Sequence, residues 1–240
     1  MYAKGHGPLE YGGSSEAREV LAWTLLTFGN KAALACSFSP EDIVVIHMMR
    51  AIREDARVFA IDTGRLNEET YVCADEITGL MGGTIEWFFP KRQEVEALER
   101  AHGLHSFRNS LEARHECCGI RKVEPLSRAL SGLRAWITGM RREQSVTRKT
   151  VAQVAPDDAH KGLLKINPLI HWSSDEVWEY IRENKLPYNR LHDQGYPSIG
   201  CEPCTRATAP GEHERAGRWW WEHPEHKECG LHIRPECGHA

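Results

Sequence analysis

The sequence predicts an α/β fold, a parallel twisted sheet flanked by helices, on three observations. Short apolar runs bounded by turn residues alternate with amphipathic helical stretches, the pattern of parallel strands joined by right-handed crossovers. Several of those runs end in polar or basic turns, where sheets of this kind bind ligands. No repeat or low-complexity linker divides the 240 residues. Residues 1–240 are therefore read as one domain, with about 205–240 a flexible, loop-rich C-terminal segment.

The elements follow in order. Ser14-Ser15-Glu16 opens a helical pattern that runs to about Phe28, with Gly29 past its end. Lys31–Ser37 is short and apolar, a buried strand. The turn Ser37-Phe38-Ser39-Pro40-Glu41-Asp42 leads into a helix over 43–52, with Ser39 as cap and Pro40 suited to the first turn. Free backbone N–H groups converge at such a turn, so it can hold an anion, although most turns of this kind bind nothing. Arg57–Ile61 is a second strand and ends in Asp62-Thr63-Gly64-Arg65, followed by a helix over 66–81. A strand over 83–89 and an amphipathic helix over 91–102 come next. Leu111–Glu116 leads into Cys117-Cys118-Gly119-Ile120-Arg121-Lys122, then a helix to about Leu130. Leu133–Thr138 is a fourth strand and ends in Gly139-Met140-Arg141-Arg142. Residues 145–158 read as an exposed, mobile loop containing Arg148, and 163–166 as a further strand. Ser173 caps a helix to about Asn184, after which periodicity fades.

Composition bounds the function. Hydrophobic residues make up 41% and charged residues 27%, as in soluble globular chains. No apolar run approaches the ~20 residues of a membrane span. The first residues lack the apolar core of a signal peptide. The expectation is a cytoplasmic protein. A net charge of −4 gives no global bias toward nucleic acid. Two basic groups, Arg141, Arg142, Arg148 and Lys149 and then Arg206, Arg215 and Arg218, read either as solvated faces or as anion sites.

Eight cysteines stand in the chain. Cys117-Cys118 and Cys201-x-x-Cys204 form two pairs. A C-x-x-C chelates a metal, forms a redox disulfide or supplies cluster ligands. Zinc pairs normally have two to four spacers, whereas adjacent thiols at a helix or turn reach a larger object more easily. Spacing therefore favours a [4Fe–4S] cluster over zinc and leaves both open. Cys36 and Cys73 read as core residues. Cys229, in Lys227-Glu228-Cys229-Gly230-Leu231-His232, reads as a nucleophile. Cys237 reads as a tail thiol. The Trp219-Trp220-Trp221 run fits core, a substrate platform or a subunit contact, so a homo-oligomer stays open.

Taken together these motifs resemble the iron–sulfur, adenylylsulfate (APS) reductase branch of the phosphoadenylylsulfate (PAPS) reductase family. The resemblance rests on Ser37–Asp42, Asp62–Leu66, Cys117-Cys118-x-x-Arg121-Lys122-Val123-Glu124-Pro125-Leu126, Gly139–Arg142 and Asn167-Pro168-Leu169. It continues through Cys201-x-x-Cys204-Thr205-Arg206, Glu214–Trp220 and Glu228–His232. It implies a fold like the adenine nucleotide α-hydrolases and a [4Fe–4S] cluster on Cys117, Cys118, Cys201 and Cys204. It also implies attack of Cys229 on the phosphosulfate sulfur, release of AMP, and reduction of the S-sulfocysteine by thioredoxin. Ser37 and Ser39 would meet the phosphosulfate. The Asp62–Arg65 turn (Asp62, Thr63, Gly64, Arg65) and the Gly139–Arg142 turn (Gly139, Arg141, Arg142) would hold adenosine, and Arg148 would close over them. Lys122 would bridge cluster and sulfate. His232, Arg215 and Arg218 would lower the thiol pKa and neutralise the substrate.

The turn at Ser37–Asp42 lacks the glycines of the ATP pyrophosphatase loop, which weighs against an ATP-dependent RNA sulfurtransferase. The two cysteine pairs favour APS over PAPS, with a PAPS or dual-specificity enzyme as the alternative. A non-enzymatic zinc or iron–sulfur module would leave the strand-end motifs unexplained.

Overall fold

The computed structural model describes residues 16–144, 148 and 150–223. Six strands form one sheet: β1 (Ala32–Cys36), β2 (Arg57–Ile61), β3 (Ile85–Phe88), β4 (Ala135–Ile137), β5 (Val154–Pro156) and β6 (Leu164–Ile166). Their order is β3-β2-β1-β4-β6-β5. Every pairing is parallel except β5 with β6. The expected parallel sheet is thus present, with one antiparallel edge strand.

Alternation along each strand splits the core into two layers. Ala32, Leu34 and Cys36 of β1 join Val58, Ala60, Ala135 and Ile137 on one face. Ala33, Phe59 and Trp136 occupy the other. The first face packs under α1 (Ala17–Phe28), α2 (Pro40–Ile52), α3 (Glu68–Met81) and α7 (Ser174–Glu183). The second is covered by Leu126, Ala129 and Leu130 of α6 (Glu124–Leu130). Packing overrides propensity in α2. Its run Ile43-Val44-Val45-Ile46 is β-branched and costs up to ~0.7 kcal/mol per residue in a helix. All four side chains are buried, each contributing ~1.5–3 kcal/mol.

Helix starts follow their caps. Ser39 accepts from the Asp42 N–H with Pro40 at the first helical turn, and Ser173 makes a capping box with Glu176. The expected Ser14 cap lies outside the described residues, and Glu16 stands at the N-cap of α1.

Three findings differ from expectation. Val154–Pro156, read as loop, pairs antiparallel with β6. Arg148, placed in an exposed loop, is buried. The cysteine pair Cys117-Cys118 ends a helix of its own, α5 (Leu111–Cys118), and a π turn over Gly119–Val123 joins it to α6. There the Glu124 N–H reaches back to the Gly119 carbonyl. Pro125 follows with no N–H to give, so the i→i−4 ladder is interrupted at this point anyway. A third small cluster joins Leu98 of α4 (Arg92–His102) with Phe107, Cys117, Cys204 and Trp219. Among the described residues no helix is long and apolar enough to cross a membrane.

Candidate active site

Strand order reverses at β1: β2 lies on one side and β4 on the other. The crevice beyond the carboxyl ends of such a pair is the expected ligand position. A cavity of about 260 Å³ lies there, lined by Ser37 and Ser39 after β1, Thr63 after β2, and Thr138, Gly139 and Arg141 after β4.

The turn after β1 is held tightly. Phe38 adopts φ 62°, a left-handed conformation rare for a bulky residue, and stacks on Trp87. The Ser37 N–H and hydroxyl both donate to Asp42 Oδ2, at 2.7 and 2.8 Å. Burial pushes the Asp42 carboxyl up to about 6, against the lowering effect of the Ser37 bonds. Both predicted serines line the cavity, and both hydroxyls are engaged by Asp42. Gly139 permits the close approach of the β4 end: a Cβ there would lie 2.5 Å from Asp42 Oδ1.

A buried charge network backs this floor. Arg141 Nε donates to Glu41 Oε1 at 2.7 Å, and Gln144 Nε2 donates to the same oxygen at 3.0 Å. Arg141 also lies 3.5 Å from Glu214, whose carboxyl is raised chiefly by burial. Lys122, Arg148, Arg215 and Arg218 line the same cavity.

The predicted site residues Asp62, Gly64, Arg65 and Arg142 do not line it. Asp62 shapes its turn by accepting from the Gly64 N–H at 2.7 Å and the Tyr71 hydroxyl at 3.0 Å. Arg65 turns the other way, to Glu99 at 2.9 Å and over the Phe107 ring. Arg142 donates to the Val151 carbonyl at 3.3 Å.

The four paired cysteines come together. Cys117, Cys118, Cys201 and Cys204 line one small cavity, with Arg114, Arg121 and Trp219 in its wall. Among the described residues, no three His, Cys, Asp or Glu groups close on a single-ion position. Burial raises the Cys117 thiol and pushes Cys204 up to about 12, with Cys201, Cys118 and Cys117 adding to the latter. Arg121 Nη1 donates to the Thr63 carbonyl at 2.7 Å, and Thr63 Oγ1 lies 3.2 Å from Cys201 Sγ. Thr63, Lys122, Cys201 and Arg218 line both cavities and so form a shared wall. Arg218 passes directly over Gly200 on its way to that wall: a Cβ at residue 200 would lie 2.2 Å from its Nη2.

Thr205 and residues 217–219 are buried against this region, whereas 209–213 between them are exposed. Thr205 bridges Arg218, Trp219 is buried, and Trp220 is partly exposed. Cys229, His232 and Cys237 lie outside the described residues. Sequence reasoning did not single out Glu41, Asp42, Glu214 or His192 as cavity residues. The first two stood within the expected anion turn, at its end. His192 had no signal, being one histidine in an aperiodic segment.

Fold and site define an α/β protein whose switch-point ligand cavity is backed by a four-thiol cavity. The chain belongs to the phosphoadenosine phosphosulfate reductase domain family, whose description matches residues 31–207. It is 48% identical over 204 residues to an adenosine 5'-phosphosulfate reductase of Burkholderia cepacia, covering 85% of this chain and 81% of that one. To the enzyme of the same name from Allochromatium vinosum it is 50% identical over 200 residues, covering 83% and 78%. A crystal structure of PAPS reductase from Candida auris superimposes with a TM-score of 0.69 at 29% identity, covering 80% of this chain and 90% of that one. Yeast FAD synthetase, at 11% identity and a TM-score of 0.55 over 80% of this chain and 66% of its own, shares the fold.

Proposed function

We propose that this chain reduces adenylylsulfate to sulfite and AMP in sulfate assimilation; its bacterial relatives are named adenosine 5'-phosphosulfate reductases. The observation that carries this reading is the shared wall of Thr63, Lys122, Cys201 and Arg218 between ligand cavity and thiol cavity. It puts two cations where an anionic nucleotide group and an anionic sulfur centre would both need neutralising.

The thiol cavity fits a [4Fe–4S] cluster held by Cys117, Cys118, Cys201 and Cys204. The donor set is the four thiols that line one cavity. Two buried guanidinium nitrogens in the same wall, Nε of Arg121 and of Arg218, have no hydrogen-bond partner among the described residues. Sulfur ligands of an anionic cluster are natural acceptors for such donors. When bound, the cluster supplies a fixed negative centre beside the substrate, and its role is electrostatic rather than simple electron transfer.

The chain's own residues do the rest. Lys122 and Arg218 draw the phosphosulfate to the shared wall, with Arg148 and Arg215 in the same cavity. The Cys229 thiolate attacks the sulfur, an S–S bond forms, the S–O bond breaks, and AMP leaves with the bonding pair. A thiolate of thioredoxin then attacks the Cys229 sulfur and expels sulfite. Its second thiol resolves the mixed disulfide, which restores Cys229 and leaves thioredoxin oxidised.

The test is intact-mass analysis of anaerobically purified protein incubated with APS or PAPS without reductant, followed by peptide mapping. A sulfite-sized adduct on Cys229 with APS alone is expected. An adduct with both nucleotides would make the enzyme dual-specific. No adduct with either, in protein that keeps its iron, would remove the covalent mechanism.

A further inference from the structure

His192 lines the ligand cavity on a segment that neither strand-end motif nor thiol pair explains. It sits on the turn Arg190–Gln194, and that turn is built rather than loose. Asn189 is buried at its start, accepts from the Leu191 N–H at 3.0 Å and donates to Thr70 Oγ1 of α3 at 3.1 Å. Gly195 closes the turn at φ 83°. The ring of Trp178, from α7, meets the imidazole edge-on at 5.3 Å. The imidazole is therefore packed by α7, and the turn that carries it is anchored to α3.

Its Nε2 is buried and has no hydrogen-bond partner among the described residues. A buried polar atom left without a partner costs about 1–3 kcal/mol, so an orphan in a ligand cavity calls for a ligand group. Burial pushes the His192 pKa below the ordinary value, while a hydrogen bond to the Tyr196 backbone acts the other way. The ring is then neutral. The proton stays on the nitrogen facing Tyr196, and Nε2 offers a lone pair. A lone pair selects a donor, and in an adenosine nucleotide the uncharged donors are the ribose hydroxyls and the exocyclic amine.

We propose that His192 Nε2 accepts a hydrogen bond from the nucleoside part of the bound nucleotide and thereby sets specificity. The inference rests on the proposed sulfonucleotide site. A hydroxyl-reading acceptor of this kind disfavours an analogue that replaces the donor by acceptors only. If the donor is the ribose 3′-hydroxyl, His192 also discriminates against a 3′-phosphate.

The test is a ligand-and-variant cycle on full-length, cofactor-loaded protein. AMP, 2′-deoxy-AMP, 3′-deoxy-AMP and purine riboside monophosphate (which lacks the amine) are titrated into wild type, His192→Phe and His192→Gln. Phenylalanine keeps the packing on Trp178 and removes the acceptor, while glutamine restores a polar atom near the Nε2 position. The expected result is about tenfold weaker AMP binding by His192→Phe. The loss should vanish for one of the three analogues and be partly restored by glutamine. The coupled analogue names the group, and coupling to 3′-deoxy-AMP predicts that His192→Phe relaxes rejection of adenosine 3′,5′-bisphosphate. Equal losses for all four nucleotides, or none, would overturn the inference. Wild type that binds AMP and turns over APS while the cycle shows no coupling would sink His192 alone. Wild type that binds no AMP would sink the function on which it rests.

Discussion

Arg114 and Glu222 form a two-pronged ion pair closed off from solvent: Nε to Oε1 and Nη2 to Oε2 are both 2.8 Å, with the side chains 0% and 8% exposed. The guanidinium also lies over the Trp219 ring at 4.6 Å. The pair ties the helix that ends in Cys117-Cys118 to the last described part of the chain. Cys229 is seven residues beyond Glu222, a covalent reach of at most about 25 Å.

Removing one partner strands the other charge. Glu222→Ala is expected to cost about 3–5 kcal/mol, the usual penalty for breaking a buried pair. Urea unfolding of the cofactor-loaded protein measures it. A loss below about 1 kcal/mol would mean that water reaches Arg114.

Asp42 gives a pH signature. Burial raises its folded pKa to about 6 from 3.8. The folded state therefore holds an extra proton between about pH 4 and 6, and stability falls as pH rises through that window. At 1.36 kcal/mol per tenfold change in proton affinity, the ionised group costs about 3 kcal/mol at pH 7. Asp42→Asn removes this slope, so the difference in stability between variant and wild type should grow in the variant's favour from pH 4.5 to pH 7. Parallel pH profiles would place the titration elsewhere.

Gly200→Ala should copy Arg218→Ala. The added methyl would meet Arg218 Nη2 at 2.2 Å and push the guanidinium out of the shared wall. Loss of one preorganised cation costs about 10²-fold in kcat/KM. Steady-state kinetics of both single variants and the double variant decide. Additive losses would show that the two residues act separately.

Cys201→Ser should abolish visible absorbance and bound iron, whereas Cys229→Ser should keep both and lose turnover. Iron analysis after anaerobic purification is the measurement. Full iron in Cys201→Ser would remove that residue from the ligand set.

The strands were legible because each central one is a bounded apolar run buried on both faces. β5 was not, since three residues ending in Pro156 carry no periodicity and pair only with the sheet edge. The thiol pairs were visible as pairs. Their meeting in one cavity needed Thr63, α5 and the Cys201 turn to be brought together by the fold. Arg141 was legible as a basic strand-end residue. Its partner Glu41 lies 100 positions away, and no local pattern couples them. Asp62, Gly64 and Arg65 were found by their motif, yet Asp62 and Gly64 shape the turn and Arg65 points to Glu99, leaving Thr63 as the member that faces the ligand cavity. His192 is a tertiary finding throughout.

With the proposed cluster on the thiols and the proposed nucleotide in the ligand cavity, the wall of Thr63, Lys122, Cys201 and Arg218 would also make the protein its own sensor. Any chromophore carried by the thiols shares side chains with the nucleotide, so a ligand that shifts Lys122 or Arg218 alters the field on that chromophore. Nucleotide affinity would then be readable as a change of colour, without label or coupled assay. A redesign of the pocket for another nucleotide would in the same way retune the spectrum.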